Sequence, residues 1–252
     1  KISTEKMIQK LEQKDIKFQK SDLFENVFKI KDTQKLIHSG FLGDGLCSVQ
    51  DDSAHIPVEL LDIQNGNTVL DMCAAPGGKF IQILQKEKSI TAIAVDADKS
   101  RLKRVKENLN RLNLTHGFLV VADARQLPFK PIFDKILLDA PCSGLGVIRK
   151  HPDIKWRRNE AEIQSFIKIQ TDLIKQAGMH LMKDGKLIYS TCSIDIDEDE
   201  NITNAFIENN SNHFKQIAPP EFYKHFQKKG HIRTFPDEKS MDGSYCAIIK
   251  KF

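Results

Sequence analysis

The run NTVLDMCAAPGGKF at residues 67–80 reads as a β-strand, a tight glycine turn and the start of a helix. Such a turn lets backbone N–H groups approach a ligand closely. Two ligand classes fit it poorly. A P-loop carries glycine five residues before Gly78 and Ser or Thr after Lys79, where this chain has Cys73 and Phe80. The dinucleotide fingerprint needs three spaced glycines, and only the adjacent pair Gly77 and Gly78 is present.

Outward from this run, short apolar stretches alternate with longer helical ones. TVLDM, ITAIAVD, HGFLVVAD, DKILLDA, KLIYSTC and YCAIIKK read as strands, and residues 98–112 and 160–182 as helices, with Gly185 breaking the chain before the strand that follows. That alternation predicts an α/β, Rossmann-like domain with a mostly parallel sheet. Asp96 ends the second strand, eighteen residues after Gly78, where a carboxylate can accept from ribose hydroxyls. Asp123 ends the third, where it could accept from an adenine amine, and Asp139 ends the fourth. An adenosine without phosphates points to S-adenosylmethionine. The competing reading of each acid is a helix cap.

The chain has 252 residues, enough for one large domain with a small appendage. No apolar run approaches the roughly 20 residues of a membrane span. The start, KISTEKMIQKLEQKD, lacks an initiator Met and the pattern of a secretion signal, so an upstream extension is expected. TEKMIQKLEQK can form one amphipathic helix through Met7, Ile8 and Leu11, and FENVFKIKD a strand, too little for an independent domain. The net charge of +4 is small, but basic residues bunch in RLKRVKENLNRL (101–112) and IRKHPDIKWRR (148–158), as a polyanion partner requires. Trp156 in the second run could stack on a base or anchor its loop, while His151 has no assigned role.

Five cysteines, at 47, 73, 142, 192 and 246, include no C-x-x-C pair. That argues against a disulfide framework and a zinc site of usual spacing, and fits a reducing cytoplasm. Cys47, Cys73 and Cys246 read as small apolar fillers, Cys73 lining the turn through its backbone. Cys192, in YSTCSIDIDEDE (189–200), remains either filler or nucleophile. It follows the fifth strand as Cys142 follows the fourth, so adjacent parallel strands would bring both to one sheet edge. The acids from Asp195 to Glu200 read as the first turn of a helix rather than a metal site.

Taken in order, DMCAAPGGK, VDAD, ADARQLPF, LLDAPCSGLGVIRKHPDIKWRR, YSTCS and RTFPDEKSMDGSYCAIIKK resemble the motifs of the RsmB-type (Fmu/Sun) RNA cytosine-C5 methyltransferases. The resemblance covers roughly residues 41–252, including the approach segment GLCSVQDDSAHIP. It implies a class I methyltransferase domain over 51–252, with residues 1–50 a partial RNA-binding region. Phe80 departs from a usual Thr or small residue, and Ser244 with Tyr245 from a pair of aromatics.

The implied chemistry wants two thiols. Carbon 5 of cytosine is a poor nucleophile until a thiolate adds to carbon 6. Spacing does not say which cysteine attacks; the resemblance makes Cys192 the nucleophile and Cys142 the aid to release. Asp139 would stabilise the adduct, and Lys79 would orient Asp139 or contact substrate. The implied cofactor set is Cys73, Ala74, Ala75, Pro76, Gly77, Gly78, Lys79, Asp96, Arg101, Asp123 and Asp139. The expected enzyme is a monomer without metal, acting on small-subunit ribosomal RNA. The competing readings are a transfer-RNA or DNA cytosine methyltransferase and a non-catalytic RNA-binding assembly factor.

Overall fold

Val69 and Leu70 point to opposite faces of one strand, yet both are fully buried. Helices therefore cover the sheet on both sides, as a parallel sheet demands. The computed structural model describes residues 2–130, 132–236 and 241–252, so positions 237–240 of the motif RTFPDEKSMDG lie outside the described residues.

The chain opens with α1 (Thr4–Gln13), β1 (Phe18–Lys20), β2 (Phe28–Ile30) and α2 (Thr33–His38). Met7, Leu11, Ile16, Leu36 and Phe41 form a small core of their own, and β1 pairs antiparallel with β2. The helix and the FENVFKIKD strand are as the sequence predicts, while β1 is an addition. This part is tied down by Arg111, which donates to the carbonyls of Leu42 (2.6 Å) and Cys47 (2.9 Å), and by Asp52, which accepts from Ser21 at 3.0 Å.

The main body runs α3 (Asp52–Leu60), β3 (Thr68–Asp71), α4 (Gly78–Lys86), β4 (Thr91–Asp96), α5 (Lys99–Arg111), β5 (Gly117–Val121), β6 (Phe133–Asp139), α6 (Ile154–Arg157), α7 (Glu160–His180), β7 (Leu181–Thr191), α8 (Glu200–Asn209), β8 (Phe214–Ile217), β9 (Gln227–Lys228), β10 (His231–Thr234) and β11 (Ser244–Lys251). The sheet order is β5-β4-β3-β6-β7-β11-β10-β9, with β8 also on β11; β3 to β7 are parallel and β11 is antiparallel to β7. Residues of α3, α4 and α5 pack on one face through Ile56, Ile83 and Val105, and residues of α7 and α8 on the other through Leu173, Ala177 and Phe206. Among the described residues no helix is long and apolar enough to cross a membrane.

The chain moves outward from β3 to β5 and then returns to β6 on the other side of β3. That reversal opens a crevice at the carboxyl ends of β3 and β6, the place where sheets of this kind bind ligands.

Two expectations need correction. Gly185 does not separate helix from strand: α7 passes directly into β7, and residues 182–185 loop out inside it as the pairing jumps from Phe133↔Leu181 to Lys135↔Lys186. Asp184, at φ +62°, turns the chain there. The acidic run is not a helical turn either, since α8 begins at Glu200 and Glu198 and Asp199 are fully buried ahead of it. Both have polar partners inside the fold, which outweigh the pull of a helix dipole.

Candidate active site

The glycine turn bends where Gly77 adopts φ +105°, a left-handed conformation that L side chains rarely take. A Cβ there would also stand 3.0 Å from Val105 Cγ1, so the turn lies close against α5. Ala75 and Pro76 are joined by a cis peptide bond. Asp96 ends β4 almost wholly buried and accepts from the backbone N–H of Ala75 (3.2 Å) and of Asp98 (3.0 Å). Arg101 donates to the Ala75 carbonyl at 3.0 Å and lies 3.7 Å from the Asp96 carboxylate, so it braces the turn. The cap of α5 is Asp98, not Asp96.

Asp123 stands apart. It lies two residues beyond β5, half-buried, with both carboxylate oxygens accepting from the Arg125 guanidinium at 2.7–3.1 Å. The Arg125 side chain holds its carboxyl below the usual carboxylate value.

At the carboxyl ends of β6 and β7 the expected chemical groups meet. Lys79 Nζ donates to Asp139 Oδ2 at 2.7 Å, and Ser190 Oγ donates to Asp139 Oδ1 at 2.8 Å. Cys142 Sγ and Cys192 Sγ are 3.3 Å apart. Burial alone would lower the Lys79 pKa, but Asp139 holds it above its ordinary value. The Cys192 thiol is lowered by the S–H of Cys142, with Lys79 adding to the effect. Cys142 moves well upward, through that same hydrogen bond, burial and the Glu198 charge. Cys192 is the more exposed of the two. One thiolate beside one thiol, open to solvent on the thiolate side, can add to an electrophilic carbon.

Several participants escape sequence reading. Asp71, at the end of β3, is 1% exposed and neither carboxylate oxygen has a hydrogen-bond partner among the described residues. Burial, with Asp139 adding repulsion, pushes its carboxyl up to about 8. Ser190 lies inside YSTCS and Glu198 inside the acidic block, but neither carries a signature of its own. Of the remaining cysteines, Cys246 is buried in β11, Cys47 and Cys73 are half-buried, and burial raises the thiols of the latter two.

The basic run after Cys142 divides. Lys150 is bound to Asp51 (2.5 Å) and Asp242 (2.7 Å), Arg149 lies 3.6 Å from Asp242, and Arg158 donates to the Ser143 carbonyl at 2.8 Å. These three brace the site, contrary to a purely phosphate-facing reading. Lys155, Trp156 and Arg157 remain exposed, with Trp156 at 83%.

The unusual residues fit. Phe80 is fully buried, and a Cβ at Gly117 would meet its ring at 2.8 Å, so the glycine makes room for the phenyl group. Tyr245 packs edge-on to Tyr189 and its hydroxyl hydrogen-bonds Thr203 at 2.8 Å.

Sheet order and crevice define a Rossmann-like class I methyltransferase domain, the fold that takes its methyl group from S-adenosylmethionine. The family model for 16S rRNA methyltransferase RsmB/F matches residues 58–250, and the chain belongs to that family. It is 35% identical over its whole length to the probable ribosomal RNA small subunit methyltransferase B of Coxiella burnetii, covering 59% of that protein. The chain spans about half the length of the curated relatives it matches. Among solved structures, a methyltransferase homolog protein from Pyrococcus horikoshii superposes with a TM-score of 0.84 at 27% identity, over all of this chain and 84% of that one. NSun6 from Pyrococcus horikoshii, solved with SFG, gives 0.74 at 30% identity over 84% of this chain and 54% of that one.

The residues at the crevice suit an S-adenosylmethionine molecule. Its ribose hydroxyls can donate to Asp96, whose carboxylate oxygens have lone pairs beyond those used by Ala75 and Asp98. The buried Asp71 carboxyl sits at the same edge, where a cationic ligand would favour its ionised form.

Proposed function

We propose that this chain is the catalytic part of an RNA cytosine-C5 methyltransferase whose substrate is small-subunit ribosomal RNA. The observation that carries the reading is the thiol pair, 3.3 Å apart, beside the Lys79–Asp139 ion pair. A pure RNA binder has no use for it.

The target cytosine swings out of its stack to reach the crevice. Cys192, as thiolate, adds to ring carbon 6, and the Cys142 S–H that had stabilised the thiolate is released from that bond. Asp139, held by Lys79 and Ser190, faces ring N3 and the exocyclic amine; it accepts from the amine and passes a proton to N3, where negative charge gathers during addition. Carbon 5, now part of an enamine, is nucleophilic. Bound S-adenosylmethionine supplies an electrophilic methyl group there. Methyl transfer leaves S-adenosylhomocysteine; a water at the open side of the crevice then takes the carbon-5 proton, N3 returns its proton to Asp139, and the electrons of the carbon-5–hydrogen bond expel Cys192 as a thiolate, which Cys142 again stabilises by hydrogen bonding. Atoms and charge balance across these steps.

Asp96 and the backbone from Cys73 to Gly78 hold the cofactor, Arg101 positions that turn, and Asp123 reaches the adenine only if Arg125 shares it. Residues 51–252 form the catalytic domain. Residues 1–50, with exposed Lys155, Trp156 and Arg157, form the RNA-facing surface.

The test is transfer of labelled methyl from S-adenosylmethionine to purified small-subunit ribosomal RNA, transfer RNA and DNA, followed by nucleoside analysis. Labelled 5-methylcytidine in the ribosomal RNA is expected. Label confined to another nucleic acid overturns the substrate, and label at another atom overturns the chemistry.

A further inference from the structure

Glu198 stands in the acidic block, fully buried, where a carboxylate needs several partners to be tolerated. It has them. Oε1 accepts from the backbone N–H of Ser143 (2.8 Å) and from Gln170 Nε2 (3.1 Å). Oε2 accepts from Ser193 Oγ at 2.7 Å and from Ser143 Oγ. Ser143 follows Cys142 and Ser193 follows Cys192, so one carboxylate grips both thiol-bearing loops at the residue next to each sulfur.

The grip is reinforced on each side. Gln170, on α7, also donates to the Pro141 carbonyl at 2.9 Å, and the Tyr189 hydroxyl donates to the Glu198 carbonyl at 2.6 Å, fixing Glu198 to β7. The two serine hydroxyls lie 3.2 Å apart, and Gly146 N–H donates to the Cys192 carbonyl at 2.9 Å. A Cβ at Gly146 would stand 2.8 Å from that carbonyl, so the loops are in backbone contact.

We propose that Glu198 is the positioning residue that sets the separation and orientation of the Cys142 and Cys192 thiols. It touches neither sulfur and is sealed from solvent, so it acts through the two loops and not on substrate. Its effect on turnover rests on the methyltransferase reading above; its effect on thiol geometry does not. Charge-assisted hydrogen bonds of this kind hold geometry more tightly than neutral ones. A displacement of about 1 Å at reacting atoms can lower a rate by about a hundredfold.

The experiment uses the whole chain with Glu198→Ala, Glu198→Gln and Ser193→Ala. Diamide oxidises a close thiol pair to a disulfide, taking up two electrons and two protons to become the hydrazine. The rate of Cys142–Cys192 disulfide formation, followed by peptide mapping, therefore reads thiol proximity without RNA. Methyl transfer at saturating substrates and affinity for S-adenosylmethionine are measured alongside. Glu198→Ala is expected to slow disulfide formation about tenfold or more and methyl transfer by about a hundredfold, with cofactor affinity unchanged. Gln keeps an acceptor for the Ser143 N–H and can donate to both hydroxyls, so it should restore both rates to within about tenfold of wild type. If Glu198→Ala does not fold, Ser193→Ala breaks one strut alone and should slow both rates severalfold. Unchanged disulfide formation in the folded variants overturns the proposal. Slowed disulfide formation in a protein that methylates no RNA supports the positioning role and overturns the proposed function.

Discussion

At the scale of single residues, the two thiols differ in environment in a way that suits the division of work proposed for them. Cys192 is exposed and lies near Lys79, whereas Cys142 is half-buried with the Glu198 charge behind it. Cys192→Ala should abolish methyl transfer while leaving cofactor affinity intact, which calorimetry and a transfer assay check together. Asp71 carries a separate prediction. Its carboxyl is raised from 3.8 to about 8, so the folded protein holds a proton that the unfolded chain gives up near pH 4. That contribution to stability is full below pH 4 and is lost as pH rises toward 8, by up to about 1.4 kcal/mol per pH unit. Lys79, Asp139 and Asp96 face this group, and the ligand-free protein should therefore weaken across that window. Asp71→Asn should flatten the profile in denaturant melts at pH 5 and pH 8; an unchanged slope would mean that Asp71 is ionised in the fold. The cysteines, Lys79 and Asp139 were legible because each closes a recognisable motif. Glu198 was not, because its partners are hydroxyls and an N–H up to 55 residues away in sequence.

At the scale of elements, the strands that carry the site follow from apolar runs, and their observed ends differ from the expected ones by a few residues. TVLDM becomes Thr68–Asp71 and ITAIAVD becomes Thr91–Asp96. β8, β9 and β10 were not legible: each has four residues or fewer, and pairing along β11 or with one another forms them rather than periodicity. Phe80 shows how a local departure is absorbed by a neighbouring element. Gly117 at the start of β5 leaves the space that its ring fills, so Gly117→Val should destabilise the fold by about 1–3 kcal/mol through overpacking. Chemical denaturation checks this, and stability equal to wild type would mean that the Phe80 ring can move aside. The basic stretch after Cys142 reads from sequence as one surface, but pairing with Asp51, Asp242 and Ser143 turns half of it inward.

At the scale of the whole molecule, the doubly covered sheet fixes one crevice, and strand order brings the glycine turn, the three acids Asp71, Asp96 and Asp139, and two thiols to it. Exposed Lys155 and Arg157 lie on the short helix that follows the Cys142 loop. Replacing both with Gln should weaken RNA binding at all sequences and reduce the slope of log affinity against log salt by about 1–2. Arg158→Ala should instead lower turnover more than affinity, because Arg158 holds the Ser143 carbonyl. Equal slopes for wild type and the double variant would place the RNA elsewhere.

The central claim is that Cys192 attacks and Cys142 releases. The direct measurement is mass spectrometry of the covalent species formed by Cys142→Ala with small-subunit ribosomal RNA and S-adenosylmethionine, digested to peptide and nucleotide. A stable adduct joining a methylated cytidine to the peptide that contains Cys192 is the expected result. No adduct together with full turnover, or a wild-type adduct on the Cys142 peptide, would contradict it.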